Sequence, residues 1–469
     1  MLFKAEILIM SGDSHMEGTL EETKLKRALG LGYTTLFGVG LILGAGIYVL
    51  IGRAADFAGD AVWLSVLFAT FIAVLTGLSY AEFSSLFPTA ASTHTYIQET
   101  YPSLRWLAFI SGWLIAFEGI AGAVTAAVGF GRYFVEIVGW PLFWAPTVAL
   151  ILILILTIIN YWGIEESAKL IVIFTAIEAF GLLLVSFLGF FFTQRTPEYL
   201  SIPSSSVSPI LLLLQGAAVF YFAFTGFELQ PTLAEEAKEP RRTIPRAIIL
   251  ALLVCSFLYL LVALSVVRLL PPEALAASGA PLADAAGTVW GGAYMLLAVI
   301  ALFSTSNTVL GFLVSGSRLI YGLAEEGFLP KKVKAVDERR KTPHVAIIIA
   351  TAIAILLLAI TKYVPELTGW EVIAIAGKEY KLIDLLSKTA SLACLLVFVL
   401  INISVIWFRY RKPELERPFK IPSLILPLIG AILTTIFIIT SFLDWIVWLN
   451  TLVVVGIGFA LYYYGAKSS

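Results

Sequence analysis

The sequence has few charged residues. Charged side chains make up 13% of its 469 residues, whereas 59% are hydrophobic and the mean hydropathy is +0.93. A water-soluble domain of this size cannot bury so large an apolar fraction in its own core. The formal net charge of -1 also lacks the basic excess typical of nucleic-acid binding. The composition therefore predicts a protein embedded in a lipid bilayer, with no nucleic-acid partner.

Cysteine and histidine are scarce as well. The two cysteines, Cys255 and Cys394, lie in apolar runs, which indicates neither a disulfide framework nor a thiolate metal site. The three histidines, at 15, 94 and 344, are all near loops. An enzyme embedded in the membrane needs clustered nucleophiles, metal ligands or acid and base groups. No such cluster can be assembled, so the sequence predicts no enzyme, no metal and no cofactor.

What the sequence has in abundance is long apolar runs. Runs of about 20 residues recur, and each is long enough as a helix to cross a hydrocarbon layer about 30 Å thick. They do not alternate between apolar and polar residues, as barrel strands would. The sequence predicts an all-α membrane protein with about twelve spans. They are placed near 32–52, 62–83, 106–134, 143–161, 168–192, 210–233, 244–268, 289–322, 344–361, 382–409, 421–441 and 444–465.

Lysine and arginine are distributed unevenly between the loops. Roughly 22 of the 31 lie on the side of the termini, against about 6 in the opposite loops. This asymmetry predicts a multi-pass protein of the cell membrane with both termini in the cytoplasm. We expect 1–28 to form a cytoplasmic tail, 29–410 a core and 411–469 two additional helices.

Two of the predicted spans carry interruptions. Span 1 has four glycines between positions 38 and 46, and span 6 has Thr225 and Gly226 inside an aromatic run. Each glycine weakens a helix by about 1 kcal/mol relative to alanine. An unwound segment persists in lipid only where protein or a polar ligand satisfies its backbone, and close helix packing is the other interpretation. If spans 1–5 and 6–10 are repeats, the interruptions correspond, which is typical of a transporter site.

Four motifs carry a resemblance to a known family. Two lie in the interrupted spans, GAGIY at 44–48 and FAFTGFE at 222–228. The others are EEAKEP at 235–240, which leads into TIPRAI at 243–248, and SRLIYGLAEEGFLP at 317–330. In these motifs the chain resembles the amino acid, polyamine and organocation transporter superfamily, especially its prokaryotic branch related to cationic amino acid transporters.

The resemblance implies a LeuT-type fold, in which inverted five-helix repeats at about 32–192 and 210–409 work by alternating access. It implies a secondary active transporter, or permease, that moves amino acids by proton-coupled symport or by exchange. A polyamine or other amine transporter, a sodium-coupled symporter and a substrate sensor on the same scaffold stay open as alternatives. A channel is disfavoured because no ring of carbonyls or like charges is recognisable.

The resemblance also implies a substrate site built largely from the backbone. The N–H groups at residues 44–46 would bind a carboxylate, helped by the positive end of the second half-helix. Ile42 and carbonyls of span 6 would receive the amine, while two phenylalanines cover the site or simply pack. The residues implied are Ile42, Gly44, Ala45, Gly46, Phe222, Ala223, Phe224 and Thr225.

Ionisable residues inside spans are costly and are therefore candidates for function. Glu118 in span 3 either faces the side-chain pocket, where it holds a cationic substrate or a water, or bonds a neighbouring helix. Glu228 directly follows the interruption of span 6 and is expected to stabilise the unwound segment. Arg318 and Tyr321, near the end of span 8, either close an inner gate or anchor the helix at the interface.

The coupling ion is expected to be a proton or a sodium ion. Several proton-linked relatives have a lysine in span 5 where this chain has Glu178, so the sign of the charge is reversed. Desolvation favours the neutral form of a buried carboxyl, which predicts that Glu178 carries the proton. Sodium-coupled relatives place hydroxyl ligands where span 8 has Ser304, Thr305, Ser306 and Asn307. Purely structural hydrogen bonds are the third interpretation.

Overall fold

The computed structural model describes residues 24–44, 46–204, 207–364, 372–375 and 378–468. Ten helical stretches of this part are long and apolar enough to cross a bilayer. One of them, Gly46–Leu86, contains two helices, and Ile425–Ser441 is a shorter apolar helix. With each broken helix counted once, the described chain has the twelve spans expected from the sequence.

The first five spans comprise seven helices, because span 1 is broken and a short helix follows span 2. These are α1 (Leu31–Leu43), α2 (Gly46–Ala58), α3 (Val62–Leu86), α4 (Thr93–Thr100), α5 (Arg105–Val138), α6 (Ala145–Trp162) and α7 (Ile164–Phe191). Single 3-10 turns at Gly59–Ala61 and Leu142–Trp144 lead into α3 and α6. The short α4 and the extension of span 1 to Ala58 were not expected from the sequence.

The remaining spans begin with a second broken helix. Span 6 starts with α8 (Pro209–Tyr221) and continues as two 3-10 segments, Phe222–Phe224 and Phe227–Glu236. The later helices are α9 (Pro240–Leu269), α10 (Pro272–Ala277), α11 (Pro281–Gly287), α12 (Gly291–Glu325), α13 (His344–Leu358), α14 (Leu382–Arg411), α15 (Ile425–Ser441) and α16 (Trp445–Ser468). A π-helical turn, Ala359–Tyr363, extends α13, and a 3-10 turn spans Lys331–Lys334.

A small antiparallel hairpin precedes α14. Its strands are β1 (Val372–Ile375) and β2 (Lys378–Lys381), with Val372 paired to Lys381. The sequence analysis treated this stretch as a loop, because four-residue strands are too short to produce a clear alternating pattern.

The two ends of the described chain lie on one side of the helix bundle. The Leu29 N–H donates to the Glu236 carbonyl at 2.9 Å, where span 6 ends. The ring of Tyr462, near the other end, stacks on Phe328 with 5.9 Å between centroids. Phe328 closely follows α12, whose Arg318 pairs with Glu236, so both contacts are on the same side.

The helices pack around α5 and α12, which contact each other along the middle of the bundle. α15 packs on α14, and α16 packs on α5, where the Trp113 indole N–H donates to the Val454 carbonyl at 2.9 Å. On the outer faces, Phe257, Ile348 and Leu452 are each at least 60% exposed. Exposed apolar faces on membrane-length helices fit contact with lipid.

Candidate functional site

Span 1 is broken between α1 and α2. Gly44 has a φ of 30°, and a Cβ on it would lie 2.8 Å from the Thr308 hydroxyl oxygen. A Cβ on Gly46, the first residue of α2, would lie 3.2 Å from the Cα of Ala223 in span 6. Gly46 therefore allows the two broken helices to approach each other, and Gly44 allows α12 to approach the break in span 1. The third predicted residue of this segment, Ala45, lies outside the described residues.

Span 6 is broken at Thr225 and Gly226. Gly226 has a φ of 120°, and a Cβ on it would lie 2.6 Å from the Leu41 carbonyl oxygen. Any side chain at this position is therefore both strained and obstructed. Both carboxylate oxygens of Glu228 accept the Gly226 N–H, at 2.8 and 2.9 Å. Glu228 thus binds the unwound segment, as expected from its place in the sequence.

A tyrosine that the sequence analysis missed connects the two breaks. The hydroxyl of Tyr259 on α9 lies 2.8 Å from the carbonyl oxygens of both Ile42 and Ala223, and 3.2 Å from that of Leu43. A hydroxyl has one proton, so it donates to one of these carbonyls at a time. Two of the carbonyls assigned to a substrate amine are therefore already in contact with Tyr259.

A cavity of about 400 Å³ lies against both breaks. It falls within the size range typical of small-molecule sites. Of the predicted substrate residues, Ile42, Gly44, Gly46, Phe222, Ala223, Thr225 and Glu118 line it. α5 and α12 supply the facing wall, with Gly122, Thr125, Ala126, Thr305, Thr308 and Phe312. Phe224 does not line the cavity, because its ring is buried against Tyr259 with 5.0 Å between centroids.

The cavity continues toward the side opposite the chain ends. A second cavity of about 650 Å³ shares Leu50, Arg53 and Phe222 with the first, together with two serines of α14. Arg53 lies near the end of α2 and Ser387 near the start of α14, both remote from the chain ends. Phe222 lies at the boundary between the two cavities. The position suits a gate, which is one of the two roles considered for it from the sequence.

A buried ion pair lies on the side that carries the chain ends. Arg318 of α12 donates to both carboxylate oxygens of Glu236, at 3.0 and 3.1 Å, and the two side chains are at most 1% exposed. The guanidinium also donates to the side-chain oxygen of Asn160 on α6. Arg318 therefore joins three spans inside the bundle instead of lying at its surface.

A second buried ion cluster lies on the same side. Glu82 of α3 pairs with Arg409 of α14 and with Arg417 in the following loop, the latter at 3.2 Å. Glu82 also accepts the Ile421 N–H at 2.9 Å. From the sequence these arginines were counted among the loop charges that orient the chain, with a regulatory role as the alternative. Their partner lies more than 300 residues earlier, so no local pattern could reveal the pairing.

Glu178 lies in a separate polar cluster between α1, α7 and α12. It is fully buried, and its Oε2 accepts the Asn307 amide at 2.8 Å. The same amide donates to the Thr175 hydroxyl at 3.0 Å, and Ser304 lies near Glu178 on the same face of α12. A Cβ on Gly40 would lie 2.4 Å from the Thr175 hydroxyl oxygen, so α1 contacts this cluster directly.

The polar run of span 8 does not form one site. Ser304 and Asn307, three residues apart, share a helix face and approach Glu178. Thr305 points to another face and lines the cavity. The Ser306 hydroxyl donates to the Leu302 carbonyl of its own helix at 2.7 Å. The four predicted residues therefore have three different environments. Ser304 and Asn307 belong to the Glu178 cluster, Thr305 belongs to the cavity, and Ser306 bonds its own helix backbone.

The structure also brings Glu118 and Glu228 next to Cys394 of α14. One carboxylate oxygen of each glutamate and the Cys394 sulfur all lie within 4.8 Å of one another, and all three residues are buried. From the sequence the two glutamates were separate candidates, and the cysteine had no predicted function. The three residues lie on three different spans, so the sequence alone carried no signal for the cluster.

A bundle of membrane-length helices around a cavity at two broken helices is typical of a multi-pass membrane transporter. The amino acid permease family model matches residues 29–465, and the chain belongs to this family. The family-level resemblance that the sequence motifs carried is therefore confirmed.

Individual transporters are similar to this chain in sequence or in fold, in agreement with the family. The branched-chain amino acid permease BcaP of Bacillus subtilis is 29% identical, with 96% of each chain covered. The methylthioribose transporter of the same organism is 27% identical, with 95% of each chain covered. The solved structure of a manganese transporter of Eremococcus coleocola matches with a TM-score of 0.59 at 15% identity, covering 93% of this chain and 94% of that one. This likeness supports the predicted LeuT-type fold.

Proposed function

We propose that this chain is a secondary active transporter that carries amino acids across the cell membrane by alternating access. One observation carries the proposal: the cavity lies against both broken helices, and the buried Arg318–Glu236 pair lies between it and the side of the chain ends, where we infer that it closes the site. A carrier needs a central site that opens to one side at a time. The described conformation then corresponds to the state in which the site is open toward the side opposite the chain ends.

The backbone at the two breaks recognises the part that all amino acids share. The N-terminal end of α2, beginning at Gly46, presents N–H groups and a positive helix dipole to the substrate carboxylate. The carbonyls of Ile42 and Ala223 receive the ammonium group. Each carbonyl oxygen has two lone pairs, so it accepts from the ammonium and from Tyr259 together. Tyr259 thus holds the two breaks at the spacing that the substrate requires.

The facing wall selects the substrate side chain. Gly122 and Ala126 of α5, with Phe312 of α12, give this wall apolar surface beside its three threonines. We therefore propose a neutral amino acid with an apolar side chain as substrate. The branched-chain substrate in the name of BcaP supports this choice. A polyamine or cationic amino acid would instead have to pair with Glu118.

Glu178 is proposed as the proton-coupling group. It is fully buried where α1 and α7 meet α12, and no ion pair to it occurs among the described residues. Binding and release of a proton at Glu178 would alter the contact between the bundle and α1, the helix that ends at the break in span 1. A sodium ion is the second candidate. Buried oxygens of Glu178, Ser304 and Asn307 lack a hydrogen-bond partner in the described structure, and together they suit a small cation.

Replacing Glu178 by Gln tests the coupling. Glu178→Gln mimics the protonated carboxyl, so an inward proton gradient is expected to give no acceleration of uptake, while substrate binding persists. Wild-type and variant proteins are compared in proteoliposomes with a labelled amino acid, with and without the gradient. Glu165→Gln, which alters an exposed carboxylate on the same helix, is the matched control.

Two results would decide against proton coupling at Glu178. Unchanged gradient-driven uptake in Glu178→Gln would exclude this residue. A strict sodium requirement in the wild type, weakened by Ser304→Ala or Asn307→Ala, would identify the cluster as a sodium site.

The orientation is proposed from the charge asymmetry of the loops, with both termini cytoplasmic. Single cysteines introduced between residues 331 and 341 are expected to resist an impermeant thiol reagent in intact cells and to react after permeabilisation. Both native cysteines are buried, so background labelling stays low. Ready labelling of these positions in intact cells would reverse the orientation.

A further inference from the structure

Two buried carboxyl groups meet where the cavity touches span 6. Glu118 of α5 lines the cavity, and Glu228 of span 6 lies behind it. One oxygen of each, and the sulfur of Cys394, lie within 4.8 Å of one another. Glu118 is 5% exposed and Glu228 fully buried. The pair therefore has little contact with water in the described state.

Within the part of the chain that the structure describes, no basic group compensates the two charges. The other ionisable groups facing the pair are the thiol of Cys394 on α14 and the phenols of Tyr80 on α3 and Tyr221 on α8. Among the described residues, no lysine, arginine or histidine acts electrostatically on either glutamate. Two carboxylates at this spacing in a low dielectric repel each other strongly, and such pairs retain a proton.

The hydrogen bonds differ between the two carboxyls. Both oxygens of Glu228 accept the Gly226 N–H, and donors of this kind stabilise the ionised form. The Oε2 of Glu118 is buried without a hydrogen-bond partner among the described residues. An unpartnered buried carboxylate oxygen is costly, whereas a protonated carboxyl at this place can donate to the neighbouring carboxylate or to a substrate.

We propose that Glu118 and Glu228 bind one proton between them, carried by Glu118, and that this proton decides which side chains the cavity accepts. With the proton bound, the cavity wall is neutral and suits an apolar side chain. Loss of the proton places a negative charge in the wall, which favours a cationic side chain. The part concerning specificity rests on the proposed substrate site, whereas the proton site itself does not. It is also distinct from the Glu178 cluster.

Infrared difference spectroscopy on the full chain in lipid nanodiscs, without substrate, detects the proton directly. A protonated carboxyl has a C=O stretch that shifts in D₂O. The wild type is expected to show such absorption at neutral pH, with a component that Glu118→Gln removes and Glu178→Gln leaves in place. In Glu228→Gln the band should disappear at lower pH than in the wild type, because the negative neighbour is gone. Glu165→Gln, at an exposed site, should leave the band in place.

A binding measurement tests the link to specificity. Labelled leucine, with lysine as competitor, is titrated against the purified protein as the pH is raised. In the wild type leucine affinity is expected to fall and lysine competition to rise as the pair deprotonates. Glu118→Gln is expected to remove this pH dependence for both ligands.

The outcomes separate the two proposals. A Glu118-dependent band without leucine binding would retain the proton site and overturn the proposed substrate. Leucine binding with no Glu118-dependent acid band in the wild type would retain the substrate and overturn the proton site. A stoichiometric divalent metal in the purified protein, lost in Cys394→Ser, would also overturn the proton site. Glu118, Glu228 and Cys394 would then hold a metal ion in place of a proton.

Discussion

Gly226→Ala is expected to abolish substrate binding and uptake. The glycine has a φ of 120°, which costs a residue with a side chain on the order of 1–3 kcal/mol. The new methyl group would also lie 2.6 Å from the Leu41 carbonyl oxygen, so the broken segments of spans 1 and 6 must separate. Binding of a labelled amino acid to purified protein and uptake into proteoliposomes measure the effect.

The matched control is Gly279→Ala, at an exposed position where a Cβ meets nothing within 4 Å. Gly46→Val should reproduce the loss, since a side chain there presses on Ala223 across the same contact. Both variants of the broken helices should still insert into the membrane, because the apolar spans remain intact. A folded Gly226→Ala protein with wild-type binding would show that the breaks do not form the substrate site.

Glu236→Gln is expected to destabilise the conformation that is closed on the side of the chain ends by about 3–5 kcal/mol, because it leaves the buried Arg318 guanidinium without its counter-ion. At about 1.4 kcal/mol per factor of ten, this is roughly two to four orders of magnitude in the equilibrium between conformations. Thermal unfolding in detergent and labelling of a cysteine introduced at Thr305 from the side of the chain ends report the change.

Removing both charges should be milder than removing one. The double variant Glu236→Leu with Arg318→Met keeps the volume approximately and leaves no unpaired charge, so much of the stability should return. Glu165→Gln, which breaks the exposed pair with Lys26, should change stability by about 1 kcal/mol or less. Equal stability and labelling in Glu236→Gln and wild type would show that the pair does not close the transporter.

The spans and their breaks could be predicted because their signals are local. Twenty apolar residues in a row specify a membrane helix, whatever the rest of the chain does. Gly44 and Gly226 could be identified in the same way, since glycine inside an apolar run is unfavourable for the helix itself. In both spans the structure breaks the helix at these positions.

The contacts between spans could not be predicted. Tyr259 resembles an ordinary packing residue in its apolar run, although its hydroxyl contacts carbonyls about 217 residues earlier in the chain. The approach of Glu118 to Glu228 likewise depends on how α5 packs against span 6, which no sequence pattern encodes. The positions of Ser304 and Thr305 could be predicted in part. Helical periodicity places them on different faces, but only the packing of α12 shows that one approaches Glu178 and the other lines the cavity.

Uptake of labelled amino acids into proteoliposomes that contain the purified chain tests the central claim most directly. The structure predicts saturable, gradient-stimulated uptake of a neutral amino acid with an apolar side chain, and loss of that uptake in Gly226→Ala. Tight amino acid binding without any transport would instead identify a sensor on a transporter scaffold. Uptake of an unrelated solute, with no amino acid competing for it, would contradict the proposed function.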